Sequence, residues 1–214
     1  MGERGQAMAV LEAKATMRVR RGFAAVSIAL ASFAPTLGYA AMTTGGLTSQ
    51  PIGHYEFCKA NPAECSIRPR DTGPVKMTSS VWRQISSINE SVNRSIKPMN
   101  DFDIYAKDEV WAYPDKIRVG DCEDYVLLKR RLLADKGISL SNLLITVVRK
   151  PDGEGHAVLT VRTDKGDYIL DNLSDNVNLW SATPYRFLKR QASEHTGRWV
   201  TIRGESNTLV GSVK

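Results

Sequence analysis

Three short runs with the composition of β-strands follow one another in the second half of the chain, at 143–149, 156–162 and 167–173. The segments between them, 151–155 and 163–166, are rich in turn-forming residues. A helical pattern lies immediately before the first run. A helix followed by an antiparallel meander predicts an α+β domain, and a chain of 214 residues has room for one sizeable core.

The helix before the strands is predicted to begin beside a cysteine. Asp121 suits the N-cap, Asp124 resembles the partner of a capping box, and Gly137 marks the C-terminal stop. Cys122 is therefore the first helical residue, where free amide groups and the helix dipole stabilise a thiolate. The carboxylates of Asp121, Glu123 and Asp124 oppose this, because negative charge raises the pKa of a thiol. Another group must offset them.

A second helix is predicted upstream by an apolar stripe at helical spacing, formed by Val81, Ile85, Ile88, Val92 and Ile96. It should begin near Thr78 or Ser79 and end before Pro98. We expect the stripe to pack on the core, with a partner-binding groove as the alternative. Residues 99–118 show no clear period and are expected to form a structured loop around the site.

Residues 41–77 are rich in Gly, Pro, Thr and Ser and are expected to form an extended, loop-rich lead-in. Cys58 and Cys65 lie close together in it and predict a disulfide loop, as in exported proteins, with a metal clip as the alternative. In the tail we expect a short helix at 185–192 and a last strand at 198–203.

The first forty residues have the layout of a secretory signal. Arg18, Arg20 and Arg21 precede an apolar run at 22–35, and small residues precede an expected cleavage after Ala40. The run is shorter than the roughly 20 residues that a membrane span needs, so a cleaved signal is preferred over a retained anchor. The predicted organisation is a signal at 1–40, the lead-in at 41–77 and one domain at 78–214.

The charge distribution argues against nucleic acid as a partner. The formal net charge is +6, and residues 1–40 hold five basic and two acidic residues, which leaves about +3 for the rest. The remaining basic residues are scattered along the chain rather than clustered, which is typical of a solvated surface.

His156 and Asp171 lie on two consecutive predicted strands. A two-residue loop at 163–164 would place them directly opposite each other in a hairpin. A four-residue loop at 163–166 would make them diagonal neighbours on the same face. A loop of odd length would separate them unless a bulge intervened. The two simplest registers therefore bring the imidazole beside the carboxylate.

The order Cys122, His156, Asp171 predicts a thiol hydrolase. A cysteine nucleophile needs an imidazole that takes its proton, and a carboxylate that holds the imidazole in the right tautomer. The backbone N–H of Cys122 is expected in the oxyanion hole. Trp111 could shield the thiolate or belong to the core. His54 and His195 have no partner at a telling spacing, and we expect both on the surface.

Three blocks, 120–125, 155–159 and 170–173, closely resemble the bacterial transglutaminase-like cysteine proteinases, a family that includes the LapG-like periplasmic proteases. The resemblance extends from about Phe57 to Trp199. It implies a papain-like, transglutaminase-type core in which a nucleophile at a helix N-terminus packs on an antiparallel sheet. It also implies a Cys-His-Asp triad at Cys122, His156 and Asp171.

The resemblance further implies a calcium site beside the nucleophile, with acidic ligands at Asp121, Glu123 and Asp124. Crowded carboxylates repel one another and suit a hard divalent cation, so the proposal also has physical sense. If there is no metal, Asp121 and Asp124 only cap the helix and Glu123 is solvated. Further ligands from the preceding loop remain open among Asp101, Asp103 and Asp108.

The resemblance to LapG-like proteases implies that the chain is a periplasmic endopeptidase that cuts a large surface adhesin at a di-alanine site. It also implies that an inner-membrane cyclic-di-GMP receptor sequesters the protease. Two alternatives stay open. The same thioester resolved by an amine gives a transglutaminase or an amidase. The fold without turnover gives a calcium-stabilised periplasmic binding module.

Overall fold

The computed structural model describes residues 41–203. The predicted signal at 1–40 lies outside these residues. Among the helices formed by 41–203, none is both long enough and apolar enough to cross a bilayer.

Within this range the helices are α1 (Ile52–Ala60), α2 (Pro62–Cys65), α3 (Ser79–Ser95), α4 (Asp101–Tyr105) and α5 (Cys122–Asp135). The strands are β1 (Thr44–Thr48), β2 (Lys97–Pro98), β3 (Val119–Gly120), β4 (Leu143–Arg149), β5 (Gly155–Thr163), β6 (Gly166–Asp171), β7 (Ser174–Leu179), β8 (Arg186–Ala192) and β9 (His195–Ile202). The main sheet is antiparallel throughout, with the order β1-β9-β8-β4-β5-β6-β7. The predicted α+β class and the three predicted strands are confirmed.

The helix α3 forms as its stripe predicts. The hydroxyl of Thr78 accepts the N–H of Val81 at 3.2 Å and caps the first turn. Ile85, Val92 and Ile96 are buried in the core beneath the helix. The stripe therefore packs on the core rather than forming a partner groove. The expected loop at 99–118 is largely irregular but contains the short helix α4.

The main sheet is buried on both faces because alternate residues of β5 enter two apolar clusters. Leu159 and Val161 belong to the larger cluster, together with buried residues of α3 and α5. Val158 belongs to a second cluster with Trp180 and Phe187. Each strand can therefore present side chains to two different environments.

The expectation of a loop-rich lead-in at 41–77 is wrong in part, because this segment holds β1, α1 and α2. Thr48 pairs with Trp199, so β1 is an edge strand of the main sheet. The sequence of β1, with two glycines, has little intrinsic strand preference, and the partner strand supplies the missing order.

The predicted helix at 185–192 is also wrong. This segment is the strand β8, which lies between β4 and β9 with a bulge on each side. Pairing on both edges provides hydrogen-bond partners for the backbone N–H and C=O groups of β8. This tertiary environment outweighs the helical start suggested by Pro184. The predicted last strand is confirmed as β9.

The disulfide predicted between Cys58 and Cys65 is present, with 5.5 Å between the two Cα atoms. It excludes the metal clip, because both sulfurs are used. The expectation that His54 lies on the surface is wrong, since only 1 % of the residue is exposed. Its ring packs edge-on against Trp111 and Trp199, at centroid distances of 5.2 and 5.3 Å. Trp111 is thus a core residue.

Candidate active site

The helix α5 places Cys122 at its first position, as predicted. Asp121 occupies the N-cap position, although its side chain makes no capping hydrogen bond. The chain can enter the helix here only with glycine at 120, because a Cβ on Gly120 would lie 2.5 Å from Oδ2 of Asp124. At the other end Gly137 has a φ of 91° and terminates the helix.

The hairpin β5–β6 brings His156 and Asp171 together. Leu159 pairs with Leu170 and Thr163 with Gly166, which is the register that makes His156 and Asp171 diagonal neighbours. His156 Nε2 lies 2.9 Å from Asp171 Oδ1, and both side chains are buried. The predicted proximity of the two residues is confirmed.

Asp171 is held from several directions. The N–H of Leu173 donates to Oδ1 at 3.0 Å, and the hydroxyl of Tyr185 donates to Oδ2. The side chain of Asn93 in α3 donates to the backbone carbonyl of Asp171 at 3.0 Å. Burial would raise the pKa of Asp171, but the bonds from His156, Tyr185 and Leu173 outweigh it and lower this pKa. The carboxylate is therefore ionised.

Cys122 and His156 line the same cleft, which has a volume of about 580 Å³. Other residues of its wall are Met99, Asn100, Lys150 and Leu173. The Cys122 thiol donates a hydrogen bond to Glu123 Oε2 at 3.2 Å rather than to the imidazole. Burial and the charge of Glu123 raise the pKa of the thiol well above its ordinary value, although the backbone of Ala157 opposes this. In this arrangement the sulfur is protonated.

Three carboxylates meet beside the thiol. One oxygen each of Asp101, Asp121 and Glu123 lies within 4.8 Å of the others. Asp101 comes from α4, so one of the three candidate ligands in the loop at 99–118 joins the group. Asp103 and Asp108 are exposed and are not in it. Each of the three clustered residues also has a buried oxygen without a hydrogen-bond partner.

Asp124 points elsewhere. Its Oδ1 accepts the N–H of Ala112 at 2.8 Å, and the structure does not bring its carboxylate into the cluster of Asp101, Asp121 and Glu123. Its Oδ2 is buried and has no hydrogen-bond partner. Asp124 thus fixes the loop that precedes the nucleophile.

The electrostatics of these carboxyl groups favour a cation. Burial and the neighbouring Asp121 raise the pKa of Glu123 to about 10. Burial and the charges of Asp121 and Asp101 raise the pKa of Asp124 to about 8. Oxygen donors that are buried, crowded and unpartnered are the ligand set that a hard divalent ion prefers. The donor set therefore fits calcium.

Sequence reasoning missed two residues that hold the His–Asp pair. Tyr185 was expected in a helix, and Asn93 gave no signal beyond the polar face of α3. Neither is near His156 or Asp171 along the chain, so no local pattern could have associated them.

A cysteine at a helix N-terminus that shares a cleft with a buried His–Asp pair on an antiparallel sheet defines a thiol hydrolase with a transglutaminase-like core. A family model described as bacterial transglutaminase-like cysteine proteinase matches residues 44–207. The chain belongs to this family and is a cysteine protease. Its substrate is therefore a protein.

Solved structures similar to this chain include three of LapG. Calcium-bound LapG of Legionella pneumophila is 26% identical, with a TM-score of 0.50 over 61% of this chain and 75% of that chain. A second LapG structure of the same organism is 26% identical over 56% of this chain and 67% of that one, with a TM-score of 0.48. An EGTA-treated LapG is 23% identical over 60% and 74%, also at 0.48. No curated protein sequence matches the chain.

Proposed function

We propose that this protein is a calcium-dependent cysteine endopeptidase in which Cys122 is the nucleophile, His156 the proton carrier and Asp171 the residue that orients the imidazole. The observation that carries the proposal is the 2.9 Å contact between His156 Nε2 and Asp171 Oδ1 in the cleft that Cys122 also lines. The first turn of α5 supplies the free backbone N–H of Cys122 for the oxyanion.

The His–Asp contact determines which ring nitrogen moves protons. Because Nε2 of His156 is engaged by Asp171, Nδ1 is the nitrogen left to take the thiol proton. The sulfur then attacks the peptide carbonyl, and the proton on Nδ1 passes to the leaving amine as the C–N bond breaks. Water hydrolyses the resulting thioester, again with His156 as the base, and restores the thiol.

Calcium would be held by Asp101, Asp121 and Glu123. Bound there, it supplies positive charge that neutralises the carboxylates beside the thiol and orders the loop leading into α5. Two observations support this: the unpartnered buried oxygens of these three residues, and the existence of calcium-bound and EGTA-treated forms of the similar LapG.

We further propose that the enzyme acts in the periplasm after export. The signal-like pattern at 1–40 and the Cys58–Cys65 disulfide, which is typical of oxidising compartments, support this location. The resemblance of the motif blocks to the LapG-like proteases supports the N-terminal region of a large surface adhesin as the substrate. The same resemblance supports an inner-membrane cyclic-di-GMP receptor as the regulatory partner.

A digest of candidate outer-surface proteins tests the proposal. Wild type is expected to cleave, whereas Cys122→Ala and wild type with EGTA are expected to be inactive. Asp103→Asn is the matched control, because Asp103 lines the cleft but lies outside the carboxylate cluster. Cleavage that survives EGTA would reject the calcium requirement, and cleavage by Cys122→Ala would reject the nucleophile.

Hydrolysis and acyl transfer share the thioester, so a competing amine separates them. We expect a labelled primary amine to be incorporated only weakly into glutamine peptides while proteolysis continues. Efficient incorporation without peptide cleavage would instead establish a transglutaminase.

A further inference from the structure

We propose that Tyr185 is a positioning residue for the catalytic pair, which rests on the proposed function of His156 and Asp171. Its hydroxyl donates to Asp171 Oδ2, while His156 Nε2 contacts Oδ1 at 2.9 Å. Each carboxylate oxygen therefore has its own side-chain partner. With both oxygens engaged, the carboxylate cannot rotate away from the imidazole.

The ring of Tyr185 also contacts His156 directly. The two ring centroids lie 5.6 Å apart with the planes at 60°. An edge-to-face contact of this kind restrains the tilt of the imidazole. One residue thus contacts both members of the pair, the carboxylate through its hydroxyl group and the imidazole through its ring.

The position of Tyr185 is braced by the sheet. Val148 in β4 pairs with His156 on one side and with Phe187 in β8 on the other. Tyr185 lies two residues before Phe187, immediately ahead of β8, and packs against the apolar cluster that contains Val148 and Phe187. The ring is therefore anchored on β4 and β8, and β4 pairs with the strand that carries the histidine.

The charges favour this direction of the hydrogen bond. Burial and the bond to Asp171 raise the pKa of Tyr185, so the phenol remains a donor at neutral pH. An ionised carboxylate that accepts from Tyr185 and Leu173 stabilises the Nε2–H tautomer of His156. Nδ1 is then free to face the sulfur.

Tyr185→Phe removes the hydroxyl and keeps the ring. A matched control is Tyr125→Phe, because Tyr125 donates to the carbonyl of Ile96 at 2.7 Å in the buried core. That variant also deletes a hydrogen bond donated by a phenol, here to a neutral backbone carbonyl rather than to His156 or Asp171. A purely structural effect of losing a phenol hydroxyl would therefore appear in both variants.

The test combines steady-state kinetics of the calcium-loaded protein with NMR of ¹⁵N-labelled histidine. For Tyr185→Phe we expect kcat to fall by about tenfold or more, with KM changed by less than about twofold. The Nε2–H signal of His156 should shift and exchange faster with solvent. For Tyr125→Phe we expect a lower unfolding midpoint and an unchanged His156 signal.

A folded Tyr185→Phe with the wild-type kcat and the wild-type His156 signal would overturn the proposal, as would an equal change of that signal in Tyr125→Phe. If Tyr185→Phe does not fold, NMR of the wild-type protein tests the proposal instead. Cross-relaxation between the rings of Tyr185 and His156 would support their contact, and its absence would reject the proposal. Failure of the protease proposal is recognised separately, because wild type would then cleave no protein. The NMR comparison would still report whether Tyr185 affects the His156 signal.

Discussion

Within residues 41–203, two clusters of metal-ligand side chains differ in how their polar atoms are satisfied. In the first, His54, Cys58 and Cys65 lie within 4.8 Å of one another, but the two sulfurs are joined. His54 has its own partners, with Nδ1 at 2.8 Å from Gln50 Oε1 and Nε2 at 3.3 Å from the side-chain amide of Gln191. In the second, Asp101, Asp121 and Glu123 each keep a buried oxygen without a partner.

This difference shows that residue type and proximity do not by themselves indicate a metal site. The histidine–disulfide cluster is complete with protein atoms alone and serves the packing of the core. The carboxylate cluster leaves charge and lone pairs unmet, which is why we propose that a cation completes it. The comparison predicts that metal chemistry, and with it catalysis, depends on the second cluster, whereas folding stability depends on the first.

The largest effect is expected from the carboxylates. Glu123→Gln should lower both calcium affinity and proteolysis by about a hundredfold, because it removes a charged ligand beside the nucleophile. Calorimetry measures the affinity without reference to activity. Asp103 is an exposed carboxylate of the same cleft, and the control variant Asp103→Asn should bind calcium as wild type does. If Glu123→Gln bound calcium with the wild-type affinity, the assignment of metal binding to the carboxylate cluster would be wrong.

The pH dependence of calcium stabilisation is expected to be the next largest effect. Without metal, the folded protein holds protons on Glu123 and Asp124, whose pKa values of about 10 and about 8 lie far above the ordinary 4.5 and 3.8. The unfolded chain releases these protons near pH 4, so the stability they supply is lost as pH rises toward 8 to 10. Calcium bound by the cluster would displace the proton on Glu123, and its stabilising effect should therefore grow with pH.

Urea unfolding midpoints with calcium and with EGTA, compared at pH 5 and pH 8, measure this trend. The difference between the two conditions cancels titrations elsewhere in the protein. A calcium effect of equal size at both pH values would show that the carboxyl groups are already ionised in the metal-free fold.

Loss of the disulfide should destabilise the fold without affecting the metal. Replacing Cys58 and Cys65 by serine frees a short loop and is expected to cost about 2.5 kcal/mol of unfolding free energy. Calcium affinity should remain that of the wild type, since neither sulfur belongs to the carboxylate cluster. A loss of affinity comparable to that of Glu123→Gln would show that the two clusters are coupled.

The smallest predicted effect concerns acid stability. Burial and the charge of Arg130 lower the pKa of His54 to about 4 from 6.5. Between these values the unfolded chain binds a proton that the folded protein does not, so stability is complete above pH 6.5 and is lost as pH falls toward 4. At pH 5 the loss should be about 2 kcal/mol.

The control for this prediction is His54→Gln, which lacks the titrating group. Its unfolding free energy should change less between pH 7 and pH 5 than that of wild type, whatever its absolute stability. If the unfolding free energies of the two proteins changed in parallel with pH, His54 would be protonated in the folded protein without loss of stability. Its surroundings would then be open to water.

The elements that sequence reasoning located correctly are those specified by neighbours along the chain. The start of α5, the stripe of α3 and the turn between β5 and β6 depend on residues a few positions apart. The proximity of His156 and Asp171 followed from hairpin geometry because their loop is short. In contrast, β1 and β8 were missed, since each is ordered by strands distant in sequence.

The sequence alone determined where the thiol lies on its helix, which histidine and aspartate share a hairpin face, and which cysteines are joined, because helix caps, strand alternation and short loops act over a few residues. Only the tertiary structure decided that Asp101 joins the acidic cluster while Asp124 turns to Ala112. It likewise decided that His54 is buried and that Tyr185 contacts the His–Asp pair. These outcomes depend on packing between distant segments, where volume, burial and unmet hydrogen bonds select one arrangement from many that the local pattern permits.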